Sequence, residues 1–428
     1  MPGRDLRSTR LVGIVETQTR DFDVVVWGAT GFVGRLTAQH ILEHYGTSFP
    51  WALGGRSETK LSAVRDALTA ETGVDASGLP LIVGDAADTT FMRGLAERTR
   101  VACTTVGPYA LYGSELVAAC AATGTHYCDL TGEVFWMGRM IDAHQDQAQA
   151  SGARLVHACG FDCIPADLGV FFVQHAMKAR HGVPGKHVKL RVAGFKGGAS
   201  GGTAASAINM LEEQSRDPEV RQRNEDPYAI NPRNRRNGPD GPDSFRIAWD
   251  ADFGQWTGPF IMANVDTRVV RRSNALLANA YGPDFRYEEA MLMGPGPFGF
   301  VKALGLATAL RVGMAAMTVG PVRRAAASRM PAPGEGPSKR VREAGYWDVR
   351  LLAEHPSDSS ETLRARLTGD RDPGYGSTAK MLAESAICLA RDSLTSSGGI
   401  HTPASAMGEA LLDRLQQNAG VTVQIEGP

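Results

Sequence analysis

A chain of 428 residues, 43% hydrophobic and with a formal charge of −1, exceeds what one hydrophobic core usually supports, so two domains are expected. The charge balance leaves no basic footprint for nucleic acid. The six cysteines, Cys103, Cys120, Cys128, Cys159, Cys163 and Cys388, form no Cys-x-x-Cys pair, which predicts buried free thiols in a reducing compartment rather than a zinc or disulfide framework.

Residues 1–20 carry four Arg and only a five-residue apolar stretch, Leu11–Val15. That is too short for a secretory core, so the segment is expected to be a flexible tail and the protein cytoplasmic. Phe22–Trp27 is a β-branched, mostly apolar run that reads as a buried parallel strand. The turn Gly28-Ala29-Thr30-Gly31-Phe32-Val33-Gly34 follows, and the apolar pattern then takes a helical period through Ile41 and Leu42. A strand feeding a helix through such a turn aims backbone N–H groups and the positive helix end at one spot, where a pyrophosphate can sit. Gly28 allows the tight turn, Gly31 the approach of phosphate, and Gly34 the packing of helix on strand.

Trp51–Arg56 reads as the second strand and its tip. An acidic residue there would suit a ribose 2′-hydroxyl; Arg56, with Ser57 beside it, suits a 2′-phosphate and predicts NADPH. Ser57 is equally suited to cap the next helix. Leu79–Val83 is expected as the third strand, with Asp85 beyond it either touching adenine or closing a turn. Val101–Val106 is the fourth and runs into Gly107-Pro108-Tyr109, placed to line the nicotinamide end of the crevice. A helix from about Gly113 to Ala122, strand His126–Leu130, a helix about Phe135–Ala150 and strand Arg154–Cys159 complete the alternation of a doubly wound sheet. After Gly160, Pro165 opens a helix to about Ala179, and Asp162 either caps it or takes a chemical role.

In the second half, His187–Lys196 alternates like a strand with one solvated face. Gly197–Thr203 is a small-residue loop suited either to close over a ligand or to connect. Residues 217–243, rich in Pro, Asn, Arg and Gly, read as a surface excursion without a core. Phe298–Val322 is strongly apolar, with Lys302 and Arg311 its only charges, followed by Arg323, Arg324 and Arg329. Such a segment suits a helix lying on an anionic membrane over 298–329, a helix buried in a homodimer or over an acyl pocket, or a spanning helix. Pro331–Pro337 reads as a linker, Tyr346–Ala353 and Thr362–Leu367 as a hairpin, Lys380–Arg391 and Pro403–Leu415 as helices, and Val421–Ile425 as a last strand.

Several of these runs resemble the saccharopine-dehydrogenase-like oxidoreductases, and within them the mycobacterial trans-acting enoyl reductases. They are Gly28–Gly34, Gly55-Arg56, Gly107–Tyr109, Thr125-His-Tyr-Cys-Asp-Leu-Thr-Gly-Glu133, Gly160–Pro165, Asp372-Pro-Gly-Tyr-Gly376, Ala379–Glu384 and Gly398–Pro403. The resemblance covers all but the tail. It implies an α/β chain: a Rossmann domain over 21–165, completed by 398–428, and a second α+β domain over 166–397 with an antiparallel or mixed sheet. It also implies NADPH, no metal and a lipid- or polyketide-like substrate.

The cofactor candidates are therefore Gly28, Ala29, Thr30, Gly31, Phe32, Val33, Gly34, Arg56, Ser57, Asp85, Val106, Gly107 and Pro108. An enoyl reductase also needs a donor, for which Tyr109, Tyr112 and Asp162 are the candidates and His126 a weaker one. The two phenols are equally suited to packing the crevice wall. No Tyr-x-x-x-Lys pair occurs, which argues against short-chain dehydrogenase chemistry. Two other readings stand beside this one: an amino-acid dehydrogenase, and an NADPH-binding membrane protein without turnover.

Overall fold

The computed structural model describes residues 20–197, 210, 212–214, 216–243, 246–317, 319–327, 335–358 and 360–427. The tail before Arg20, the loop residues 198–203, Arg329 and residues 331–334 of the expected linker lie outside them.

Two seven-stranded sheets organise the chain. The first is built from β1 (Phe22–Trp27), β2 (Trp51–Gly55), β3 (Leu81–Val83), β4 (Thr99–Thr104), β5 (His126–Cys128), β6 (Arg154–Val156) and β13 (Gly399–His401). Their spatial order is β13-β6-β5-β4-β1-β2-β3, all parallel. Val24, Val25 and Val26 are wholly buried, because both faces of this strand are covered. Val24 and Val26 pack with Ile41 and Leu42 of α1 (Phe32–Tyr45) and Leu61 and Leu68 of α2 (Glu58–Thr72). Val25 and Trp27 pack with Leu95 of α3 (Thr89–Glu97), Leu116 of α5 (Ser114–Thr123) and Phe135 of α6 (Val134–Ser151). The short turn of helix Tyr109–Tyr112 is α4. The all-parallel sheet with helices on both faces is the Rossmann arrangement that the sequence implied.

The second sheet runs β14-β12-β11-β7-β10-β9-β8. Its strands are β7 (His187–Lys196), β8 (Ala248–Asp250), β9 (Gln255–Gly258), β10 (Arg286–Gly294), β11 (Tyr346–Glu354), β12 (Thr362–Gly369) and β14 (Val421–Glu426). Only β7 and β10 pair in parallel, so the sheet is mixed. Val188, Leu190 and Val192 of β7 share a core with Leu168, Val170 and Val173 of α7 (Ile164–His181). Of the alternate residues of β7, Arg191 donates through Nε to Asp250 at 2.7 Å.

The helix Thr378–Arg391 follows the second sheet's hairpin in sequence but packs on the first sheet. Its Glu384, fully buried, lies 2.8 Å from His40 Nε2 and accepts from the Tyr45 hydroxyl at 2.7 Å, which fastens it to α1.

Four strand boundaries fall short of expectation: β3 starts at Leu81, β4 stops at Thr104, β5 at Cys128 and β6 at Val156. The largest correction concerns 217–243, which is not a solvated excursion. Helix Pro218–Glu225 forms there, and Val220, Tyr228, Ala229 and Ile230 are buried. Three buried guanidinium groups on one face of the helix Ala263–Leu276 hold it. Arg268 donates to Asn224 O at 2.6 Å, Arg271 to Asp240 at 2.8 Å, and Arg272 to Ile230 O. Val220, Ala229 and Ile230 join the apolar cluster under the first sheet, while the arginines satisfy the segment's carbonyls, so a stretch polar in composition is packed all the same.

Candidate active site

All strands of the first sheet point the same way, so the ends of β1, β2, β3, β4, β5 and β6 share one carboxyl edge. The crossovers leave in opposite directions from β1 and β4, and a crevice opens where they part. The glycine turn sits at its floor, stitched to both neighbours. The amides of Gly28 and Ala29 donate to Gly54 O at 2.9 and 3.0 Å, and Gly31 N donates to Gly28 O at 2.9 Å. Thr105 Oγ1 donates to Gly28 O at 3.1 Å.

Packing dictates two of the three glycines. Gly28 has φ +92°, and a Cβ there would stand 2.7 Å from Val106 Cγ2. A Cβ on Gly34 would stand 2.2 Å from Gly28 O. Gly31 differs: its φ is −75° and its Cβ would meet nothing nearer than Gly28 O at 3.2 Å. Folding alone makes only a mild demand for glycine at this position.

Ala29 is wholly buried, and Thr30 lies beside Gly55. The Phe32 ring turns away, edge-on to Tyr375 at 5.4 Å and beneath the Arg342 guanidinium at 5.3 Å. Only its backbone, then, is left to meet a ligand. Val33 packs beside the same Tyr375. Arg56 is exposed at the tip of β2 and has no hydrogen bond or ion pair among the described residues. Ser57 caps α2, its Oγ accepting from Lys60 N at 3.4 Å. Asp85 is an exposed turn residue whose carboxylate accepts from Ala87 N at 3.0 Å. Opposite the glycine turn, Val106 and Pro108 are half-buried and Gly107 is exposed.

The donor candidates separate. Tyr109 is buried; its hydroxyl donates to Thr104 O at 3.2 Å and accepts from Leu130 N at 3.4 Å, and its ring lies 5.6 Å from Trp136. Burial, then the nearby Asp129 carboxylate, pushes this phenol well above its ordinary value. It is a wall residue with its proton engaged. Tyr112 is exposed on α4. His126 opens β5 at the opposite edge of the sheet, where its Nδ1 accepts from Arg154 N at 3.0 Å and burial lowers it to about 4. Asp162 does not cap α7, whose N-cap is Cys163 without a side-chain bond. Its carboxyl is partly buried beyond β6, has no hydrogen-bond partner among the described residues, and is pushed up to about 6 by burial.

No family model matches the chain. A Mycobacterium tuberculosis protein provisionally named a trans-acting enoyl reductase is 43% identical over 418 residues, spanning 95% of this chain and 97% of its own. A trans-acting enoyl reductase of Mycobacterium ulcerans is 40% identical over 422 residues, spanning 94% and 97%. The chain belongs to the trans-acting enoyl reductase family. It is an oxidoreductase. Among solved structures, the apo saccharopine dehydrogenase (L-Glu forming) of Saccharomyces cerevisiae overlaps 94% of this chain and 99% of its own, at 11% identity and a TM-score of 0.48.

In this enoyl reductase family member, the crevice is also shaped by acids to which the sequence reading assigned no role. Asp129, at the end of β5, accepts from the Tyr127 hydroxyl at 2.8 Å, from Thr131 N at 3.0 Å and from Ala158 N at 2.9 Å, and lies 2.7 Å from His157 Nδ1. Glu133 spans the amides of Tyr109 and Ala110, both at 2.9 Å, and so holds the loop after β4. Both lie in the run Thr125–Glu133, so a signal was present. Next to Asp162, the Cys163 thiol donates to Asp266 at 3.3 Å, and Tyr287 donates to Glu289 at 2.6 Å. Asp266 is pushed well above the carboxylate range by burial and then by the Glu289 charge, while burial raises Glu289 to about 7. These acids come from the helix Ala263–Leu276 and from β10, and nothing local in their sequence marks them. Val265 shares an apolar cluster with Cys163, Leu130 and Val106, which brings this end of the second domain to the crevice.

Proposed function

We propose that the protein is an NADPH-dependent reductase of a carbon–carbon double bond conjugated to a carbonyl, on a lipid- or polyketide-like substrate. One observation carries the reading: a glycine turn between β1 and α1 at the strand-order reversal, with an unpaired Arg56 at the tip of β2. Gly31 supports it, because glycine there leaves room for a pyrophosphate at the helix end. First-turn amides of α1 have no acceptor inside the helix and suit an anion. Arg56 suits the 2′-phosphate with two parallel bonds.

When bound, the dinucleotide supplies the hydride that adds to the β carbon. Glu133 fixes the loop Gly107–Ala110 against which the ring would lie. Asp162 holds a proton at a carboxyl raised to about 6 and gives it to the α carbon as the double bond's electrons, displaced to the carbonyl oxygen, return to that carbon; water then reprotonates Asp162. Tyr109 keeps the wall dry, its hydroxyl already satisfied.

The test follows the nicotinamide absorbance on mixing NADPH with α,β-unsaturated acyl thioesters of increasing chain length. Consumption with the unsaturated but not the saturated thioester supports the reading. Tight NADPH binding with no consumption by any of them overturns it. Because a raised carboxyl loses its proton as pH rises through about 6, kcat is expected to fall above that pH, and Asp162→Asn to lower kcat and remove that limb. An unchanged profile in Asp162→Asn would take the proton role away from it.

A further inference from the structure

We propose that the outward face of the helix Gly296–Met317 docks on an anionic lipid bilayer, with the helix lying in the headgroup plane. This 22-residue helix buries only Gly299, Ala303 and Ala307, a stripe of small residues laid on β9 and β10. Most of the rest is turned outward and, apart from Lys302 and Arg311, is apolar: Phe298 is 83% exposed, Val301 63% and Val312 62%. Monomeric soluble proteins rarely leave so continuous a strip uncovered.

The charges say what covers it. At about 100° per residue, Lys302 and Arg311 fall on opposite flanks of the outward face, whose middle runs through Val301, Gly305 and Val312. Arg324 is exposed on the short helix Gly320–Ala327 that follows. Residues 290–334 contain no Asp or Glu. An apolar middle with cations along both flanks complements an anionic surface, where the chains enter the acyl boundary and the cations meet headgroups. Aromatic rings continue the strip onto the sheet edge: Phe300 meets Trp256 at 5.0 Å, and Trp256 meets the half-exposed Trp249 at 5.8 Å. Indole rings favour that boundary.

Two other occupants fit less well. In a two-fold pairing the same patch would meet itself, setting cations against cations with no acid in the segment to answer them. A spanning helix would have to leave the sheet, yet both ends are fastened. Gly299 packs against the Gly294 carbonyl, and beyond the helix Arg323 pairs with Glu212 at 3.3 Å.

The experiment is co-sedimentation of the full chain with vesicles of phosphatidylcholine, alone or mixed with phosphatidylglycerol, at low and high salt. Expected are binding to the mixed vesicles at low salt, loss of most of it at high salt, and little binding to phosphatidylcholine alone. Lys302→Gln/Arg311→Gln/Arg324→Gln is expected to lower the partition coefficient by on the order of a hundredfold, at about fivefold per cation. Phe298→Ser/Val301→Ser should abolish binding while leaving the thermal melt in place, since both side chains are exposed. No sedimentation with mixed vesicles at low salt overturns the proposal. So does a concentration-dependent dimer, seen by sedimentation velocity, that Phe298→Ser/Val301→Ser dissociates. Neither cofactor nor substrate enters the measurement, so its failure leaves the reductase reading untouched.

Discussion

Two helices that follow glycine turns at strand ends, α1 and the helix Gly296–Met317, have opposite fates. In α1, Leu36, Ala38, Ile41 and Leu42 are among seven buried residues of fourteen. The second helix is longer and more apolar, yet only three of its residues are buried. Hydrophobicity therefore does not decide burial here; the presence of a covering layer does. α1 lies on the parallel sheet beside the helix Thr378–Arg391, fastened by His40 and Tyr45 to Glu384. The helix Gly296–Met317 lies on the β9–β10 edge of the mixed sheet with nothing above it among the described residues.

Glycines in the two helices give the sharpest way to break this comparison. Gly34→Val in α1 sets a branched side chain where even a Cβ would stand 2.2 Å from Gly28 O. A loss of roughly 3 kcal/mol or more, or no folded protein, is expected from a thermal or denaturant melt. A fold that tolerates Gly34→Val would mean that the turn is looser than its contacts imply.

On the covered side, Asp167 of α7 ranks next. It accepts from Ser273 and, at 2.8 Å, from Ala404 N, and burial raises it to about 7. With a folded value above the unfolded one near 3.9, its contribution is full below that pH and is lost as pH rises through about 7, on the order of 3–4 kcal/mol across the window. Asp167→Asn should flatten that stretch of the stability–pH curve. An equally steep decline in the variant would assign it to Asp266 and Glu289 instead.

Arg56→Glu is the corresponding probe of the crevice rim. Losing one charge-assisted pair is worth roughly 1.5–3 kcal/mol, about 10- to 150-fold in NADPH affinity, and NADH should change far less. Because Arg56 has no partner among the described residues, the melt should hardly move; equal losses for both cofactors would remove the 2′-phosphate role.

The smallest effect has the opposite sign. Gly305, in the uncovered helix, has open space where a Cβ would go, so Gly305→Ala should stabilise by roughly 0.5–1 kcal/mol through helix propensity alone. Destabilisation by Gly305→Ala would reveal a covering layer on that face.

The sequence by itself determined the parallel sheet and the crevice floor, because those depend on short-range facts: a β-branched run, a glycine turn and a helical period within twenty residues. The bounds of β7 were legible for the same reason, but its solvated face was not borne out: Arg191 is buried against Asp250, and β10 pairs with β7 in parallel. What sequence could not decide was every feature that needs a distant partner. Tyr109 has the chemistry of a donor, and only the carbonyl of Thr104 and the amide of Leu130 show that its hydroxyl is engaged. Residues 217–243 look solvated until Arg268, Arg271 and Arg272, about 40 residues away, supply donors to their backbone and to Asp240. Asp266 and Glu289 acquire meaning only beside Cys163 and Asp162, brought in from the other sheet. A side chain's polarity is a property of the residue, but whether it is paired, raised or uncovered is a property of what the fold sets against it.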